Sequence, residues 1–438
     1  MQGTVWAGLM CTCTMDKMGK QAYNNDRFLY KYRNKVPVPP LQMVDDVIMP
    51  NKCGNNVIVN NTTVNTFTKL KKLSLSEAKC SRLHIGKFKC DQCPKIQVNG
   101  ANIKETQKKK YLGDFITNNA NPKATIQDRK RKGYGILSEL KAILTDIPLG
   151  PKRCEIGLTL RQAWFINGCL FNSKVWYSLN KSDLRDLEIL DHKILRTILG
   201  AHSKVPTEQL YLETGSLPIS HEITVRRLSY LQIILKKHEN EIVRKVYTAQ
   251  KEEACKGDWV KLVESDFKKL NIDLTDEAIS SMSKSEYKNI IKKKVEKHAF
   301  VALTNQQSKH KKVKHIEYNN LSAPQQYLLN SKFTYTLSSL LFNLRCESVN
   351  NIKANFHKTY NEDINCPLCN TDIDTQQHIL KCSKLISKLS TKEKNTLETV
   401  TYTHIFGNVN EQYNVTRMFK TMFSIREGLL KARSLPGL

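Results

Sequence analysis

The stretch Cys366-Pro-Leu-Cys-Asn-Thr-Asp-Ile-Asp-Thr-Gln-Gln-His-Ile-Leu-Lys-Cys382 sets Cys366, Cys369, His378 and Cys382 in the spacing Cys-x2-Cys-x8-His-x3-Cys. Zn(II) takes thiolate and imidazole ligands in a tetrahedron, and two cysteines separated by two residues reach one ion from a single turn. Pro367 helps to set that turn. The second pair lies at i and i+4, so a helix over 375–382 would put His378 and Cys382 one turn apart on the same face. The segment therefore reads as a structural zinc site. Four protein ligands leave no open position for a reactive water, which favours a module that binds nucleic acid or a partner over a hydrolase.

Outward from this segment, 438 residues leave room for two or three domains, each with its own core. The composition is globular, with 40% hydrophobic residues, and the outlying quantity is charge: 69 Lys+Arg against 41 Asp+Glu gives +28. A field of that sign attracts polyanions, so nucleic acid is the expected partner and an anionic membrane surface the weaker one. No run of 18 apolar residues suggests a transmembrane helix, and residues 3–15 carry no export signal pattern. Thirteen cysteines, an odd number scattered mostly singly, point to a reducing intracellular compartment. Cys90 and Cys93 lack a second pair at usable distance and read as buried thiols.

Residues 1–118 read as short strands and turns around one helix. Asp45 and Asp46 stand in the middle of an apolar run, 41–49, that follows Pro37, Pro39 and Pro40. An acidic pair in such a hairpin is costly unless a cation sits there, and a divalent metal would answer that cost. Residues 55–73 offer a helix with Val64, Phe67 and Leu70 on one face. From about 124 to 250 the pattern is helical: Ser182 is the expected N-cap, Leu187, Leu190, Ile194 and Ile198 form a stripe, and Gly200 stops the helix. Leu158, Trp164, Phe165 and Trp176 suit a core better than base stacking. The runs Lys292-Lys-Lys294 and Lys309-His-Lys-Lys-Val-Lys-His315 read as solvated faces or flexible arms, with phosphate contact as the competing reading. A helix around 335–345 leads into the Cys/His segment, and the last 40 residues read as a helical tail.

Gln2-Gly3 opening an apolar segment, Val44-Asp45-Asp46 in a hairpin, Lys79 in Leu-Ser-Glu-Ala-Lys-Cys and Tyr111-Leu-Gly-Asp114 stand in the order of a reverse-transcriptase palm. The chain resembles the polymerases of non-LTR, LINE-like retrotransposons. Their helical thumb and terminal Cys-Cys-His-Cys knuckle are similar to the helical and Cys/His segments downstream of residue 118, including Leu195-Arg-Thr-Ile-Leu-Gly200 and Arg226-Arg-Leu-Ser-Tyr-Leu231. The resemblance implies an α+β chain: a partial palm with a small antiparallel sheet over 1–118, a thumb over 119–250, a basic helical connector over 251–345, a zinc-knuckle region over 346–400 and a helical tail over 401–438.

It also implies roles. Asp45 would bind the catalytic Mg(II) with Asp46 beside it, Lys79 would protonate the departing pyrophosphate, Gln2 and Gly3 would touch template and nucleotide, and Tyr111, Leu112 and Gly113 would grip the primer. The chemistry is two-metal phosphoryl transfer. In a thumb, the basic runs that include Lys109, Lys110, Arg129, Lys130, Arg131 and Lys132 would track the backbone of a primer–template duplex of RNA and DNA. A functional product of this kind works in the nucleus. The family's second metal-binding carboxylate and its fingers belong upstream of the Gln-Gly segment, so the expectation is a truncated element that does not polymerise by itself. The competing expectation is a non-enzymatic nucleic-acid-binding protein that keeps thumb and knuckle, or an unselected remnant.

Overall fold

The computed structural model describes residues 15–18, 30–43, 45–52, 54–86, 95–147, 150, 152–177, 179–356 and 364–434. The protein is mixed α+β, dominated by helices, with only short strands. It divides into two compact units: Met1–Asp128, Phe171–Asp183 and Arg226–Asn289 form the first, and Arg129–Leu170, Leu184–Val225 and Ile290–Leu438 the second. No described helix is long and apolar enough to cross a membrane.

The described strands of the first unit pair in twos. Strand β1 (Tyr30–Tyr32) pairs β2 (Val36–Val38), and β3 (Leu41–Met43) pairs β4 (Asp46–Ile48), both antiparallel. After helix α1 (Gly54–Leu70), β5 (Ser81–Arg82) runs parallel to β8 (Lys104–Glu105). The hairpins β6 (Gln97–Val98) with β7 (Ala101–Asn102) and β9 (Lys108–Tyr111) with β10 (Asp114–Thr117) complete the set. Among the described residues the expected small antiparallel sheet is five separate pairs, one of them parallel. Asn99-Gly100 and Leu112-Gly113 both hold positive φ at two successive residues, as the tight turns of the β6–β7 and β9–β10 hairpins require.

On α1, Val64 and Phe67 are buried with Met15 and Met18, and Val47, Met49 and Leu75 pack against them. Leu70, expected on that face, is instead 75% exposed. Steps of three residues fall short of a helical turn, so the third residue of the series has rotated off the buried side. The hairpin β9–β10 is fixed to the first turns of α2 (Lys123–Asp146): Phe115 N donates to Thr125 Oγ1 at 2.8 Å and Lys110 pairs with Asp128 at 2.9 Å. In the same unit, Arg33 and Lys35 of the first hairpin pair with Asp258 and Glu253.

The second unit is a helical bundle. In α4 (Lys181–Leu199), which follows α3 (Arg153–Leu160), Leu187, Leu190, Ile194 and Ile198 are fully buried, as their spacing demands. Gly200 ends α4 with φ +61°, and a Cβ there would lie 2.3 Å from Ser339 Oγ. The N-cap is not Ser182. Asn180 Oδ1 accepts from Asp183 N at 2.7 Å, which starts the helix two residues earlier than expected. Phe165, and Trp176 of the first unit, are buried as core residues, while Leu158 and Trp164 are half-buried. Between α3 and the short Asn167–Cys169 helix, Arg161–Ile166 winds as a π turn that faces Arg161, Phe165 and Ile166 inward.

Two of the buried carboxylates, Asp191 and Glu213, organise charge in the bundle. Asp191 accepts from Arg161 Nε and Nη2 at 2.6 and 2.7 Å and from Tyr211 Oη at 3.1 Å. Glu213, in α5 (Thr207–Thr214), accepts from Tyr318, from Tyr327 and from Arg345 of α6 (Tyr335–Arg345) at 2.6, 2.8 and 2.8 Å. Every partner of Glu213 comes from more than 100 residues away, so this one side chain ties distant segments together. Losing one member of such a pair strands a charge in the core, at a cost of about 3–5 kcal/mol. The run 309–315 is likewise no loose arm: Val313 is fully buried and Lys312 Nζ donates to the carbonyls of Glu347 and Asn355.

Candidate metal centre and nucleic-acid face

Cys366 and Cys369 bracket a tight turn in which Asn370 N donates back to Cys366 O at 2.9 Å and Asn370 holds φ +58°, a conformation asparagine tolerates. The returning strand crosses at the bridge between Asn365 and Ile373, and Cys366 N donates to Asp372 O. Thr375 Oγ1 caps the short helix α7 (Gln376–Ile379) by accepting from His378 N, which aims the imidazole inward. That helix ends at Ile379. Cys382 lies beyond it as the N-cap of Ser383–Ile386, so His378 and Cys382 converge across a turn and not along one helical face.

The four donors meet nonetheless. Their ligand atoms all lie within 4.8 Å of one another and form a Cys3His cluster able to hold a metal ion. Cys366 and Cys382 Sγ are 3.9 Å apart, and Cys369 Sγ lies 3.3 Å from His378 Nε2. Tetrahedral Zn–S bonds of about 2.3 Å would set sulfur pairs about 3.8 Å apart, whereas a disulfide would bring them to about 2 Å. Burial pushes the Cys382 thiol up to about 11, with the neighbouring cysteines adding to the rise. At Cys369 burial acts the same way, but hydrogen bonds from Thr371 and the Asp372 backbone outweigh it and bring that thiol down to about 6. Soft donors that crowd together this closely suit a divalent cation, which favours the thiolates.

Supporting contacts hold the cluster rigid. His378 Nδ1 lies 3.5 Å from Asp372 Oδ2, the arrangement that orients a metal-binding imidazole. Asp374 is fully buried and takes a two-pronged pair from Arg426 of α8 (Val409–Ser434) at 2.7 Å. Arg433 of the same helix donates to the carbonyls of Pro367 and Leu368. Sequence reading found the four ligands and missed Asp374, Arg426 and Arg433. Asp374 sits inside the motif, whereas nothing local marks arginines more than 50 residues away.

The palm-like residues fall differently. Gln2 and Gly3 lie outside the described residues, as do Val44, Cys90 and Cys93. Asp45 occupies the turn of the β3–β4 hairpin and Asp46 its first returning residue, and both are exposed. Among the described residues they join no third metal-binding side chain. Their segments touch: Tyr111 Oη donates to Leu41 O of the Asp45–Asp46 hairpin at 3.3 Å, Lys109 Nζ, two residues before Tyr111, donates to Lys79 O at 2.6 Å, and burial, then the charge of Asp46, raises the Tyr111 pKa. Leu112 is exposed at φ +45° beside Gly113.

Of the basic residues singled out, Arg131 and Lys132 are exposed, Lys110 pairs with Asp128, and Lys130 pairs with Asp186 at 2.9 Å. Arg129 is 2% exposed, a core residue and not the surface contact expected of it. The signal was present in the spacing, because Ile126, Arg129, Gly133, Leu137, Leu140 and Leu144 form one helical stripe. No protein-family model, curated protein or solved structure matches this chain.

Proposed function

We propose that the protein binds nucleic-acid duplex as the palm edge, thumb and zinc knuckle of a LINE-like reverse transcriptase. The observation that carries this reading is the meeting of Tyr111 with the Asp45–Asp46 hairpin and of Lys109 with Lys79, residues as many as 70 positions apart. A palm would bring these segments near one another, whereas composition alone does not. Zn(II) is the ion that fits Cys366, Cys369, His378 and Cys382, and its place is structural. Asp45 and Asp46 are the carboxylates this chain would offer Mg(II), which would supply charge stabilisation for phosphoryl transfer. Lys79 would stand toward the leaving group, and Arg131 and Lys132 toward the duplex backbone.

Two exposed carboxylates hold Mg(II) poorly, because the ion demands octahedral oxygen ligation and keeps its waters. Catalysis therefore needs a third ligand that the described residues do not bring to Asp45 and Asp46. This favours duplex binding as the activity of the chain itself. The test is a fluorescence-anisotropy titration of the full chain with a primer–template duplex over a salt series, run beside a primer-extension assay. The expected result is tight, sequence-indifferent binding whose log K falls with log salt by several units, and no extension. A shallow salt slope, or extension by the chain alone, would overturn the reading.

A further inference from the structure

We propose that the loops 200–206 and 308–316 of the second unit form a phosphate site, in which Arg196, His202, Lys204 and Lys312 take one phosphodiester of a nucleic-acid backbone. The inference rests on the nucleic-acid reading above and joins the basic run 309–315, for which phosphate contact was the competing reading, to a second loop that no motif marked.

One asparagine sets the geometry. Asn343, in α6, accepts from His202 N at 3.2 Å and donates to Gly200 O at 2.9 Å, which fixes the first loop. Ser348 Oγ donates to the same Asn343 oxygen at 2.8 Å, and Lys312 Nζ reaches the carbonyl of the adjacent Glu347 at 3.3 Å and that of Asn355 at 2.5 Å. Both loops are thus pinned at the end of one helix. Arg196 Nη2 closes the first loop on Val205 O at 2.9 Å, and Lys204 N donates to His202 Nδ1 at 3.2 Å, which leaves the ring proton on Nε2.

The charges acting on His202 share one sign. Burial lowers the His202 pKa, and the charges acting on the ring, Lys204, Arg196 and Lys312, are all cationic. Two carboxylates border the cations: Glu208 lies 3.6 Å from His310 and also acts on Arg196, and Glu347 acts on Lys312. Lys309, Lys311 and Lys314 are exposed on the same loop and extend the basic rim. Three cations and an imidazole donor held by fixed backbone suit a phosphate oxyanion.

The test uses the full chain, a short DNA duplex and Lys204→Gln, with the His202 ring followed by NMR of histidine-labelled protein and assigned through His202→Gln. Lys204→Gln should flatten the salt slope by about one unit, worth about eightfold in affinity at 0.1 M salt. Duplex should raise the His202 pKa. An unchanged slope with an unmoved His202, in a wild-type chain that still binds duplex, would overturn this site and leave the duplex reading standing. A wild-type chain that ignores duplex would overturn both, and a His202 response to inorganic phosphate alone would then assign the site to a free phosphate.

Discussion

The two candidate metal sites of this protein differ in what stands behind them. Cys366, Cys382 and His378 are buried, and Asp374, Arg426 and Arg433 brace the turns that carry them. Asp45 and Asp46 stand exposed on a hairpin of three-residue strands, linked by the Tyr111 hydroxyl to its neighbour. Both sites were legible as residue patterns. A ligand set specifies a site only when surrounding side chains leave its donors no other place to point, and that condition holds at the Cys3His cluster alone.

The largest way to test this contrast is Cys382→Ser. Structural zinc contributes on the order of 10 kcal/mol to small domains that fold around it. The variant should lose about one equivalent of bound metal and the hydrogen-exchange protection of residues 364–382. Retained metal in both Cys366→Ser and Cys382→Ser would remove the cluster as a zinc site. Next in size is Arg426→Met, which leaves Asp374 buried without its partner and should cost about 3–5 kcal/mol in thermal or denaturant unfolding. Adding Asp374→Leu should recover much of that loss; a double variant as unstable as the single would show that the pair does more than neutralise itself.

Smaller effects are expected at the hairpin. Tyr111→Phe removes the hydroxyl link to Leu41 and should cost about 1 kcal/mol or less. Asp46→Asn should change stability by about 0.5 kcal/mol at most, as exposed substitutions do. It should also lower the Tyr111 pKa, because the Asp46 charge opposes phenolate formation, and an ultraviolet pH titration reads this directly. A cost of several kcal/mol at Asp46 would mean that the carboxylate is engaged far more deeply than its exposure allows, and the contrast between the sites would fail.

Legibility followed the range of the interaction. The stripe of α4 and its stop at Gly200 were readable because helical periodicity and a left-handed glycine are local. Asn99-Gly100 was equally local, and its turn fixed a hairpin that composition alone left undrawn. Arg161, Asp191, Glu213 and Arg345 could not be read as core, since a charged residue on a helix looks solvated until its distant partner is known. Lys312 was misread for the same reason: its anchors are two carbonyls more than 30 residues on, and the sequence around it advertises only charge. The His378–Cys382 spacing foresaw the meeting but not the route, because Thr375 begins a helix too short to carry both ligands.

The π turn at Arg161–Ile166 acts as a phase shifter. One surplus residue advances every side chain after it by about 100° relative to an uninterrupted helix. Upstream and downstream halves can then address different neighbours, and the guanidinium of Arg161 reaches Asp191 without turning Phe165 and Ile166 out to water. Deleting a single residue from this turn would restore the ordinary winding and put one half of the segment out of step, so a change that removes no named contact would unseat several at once.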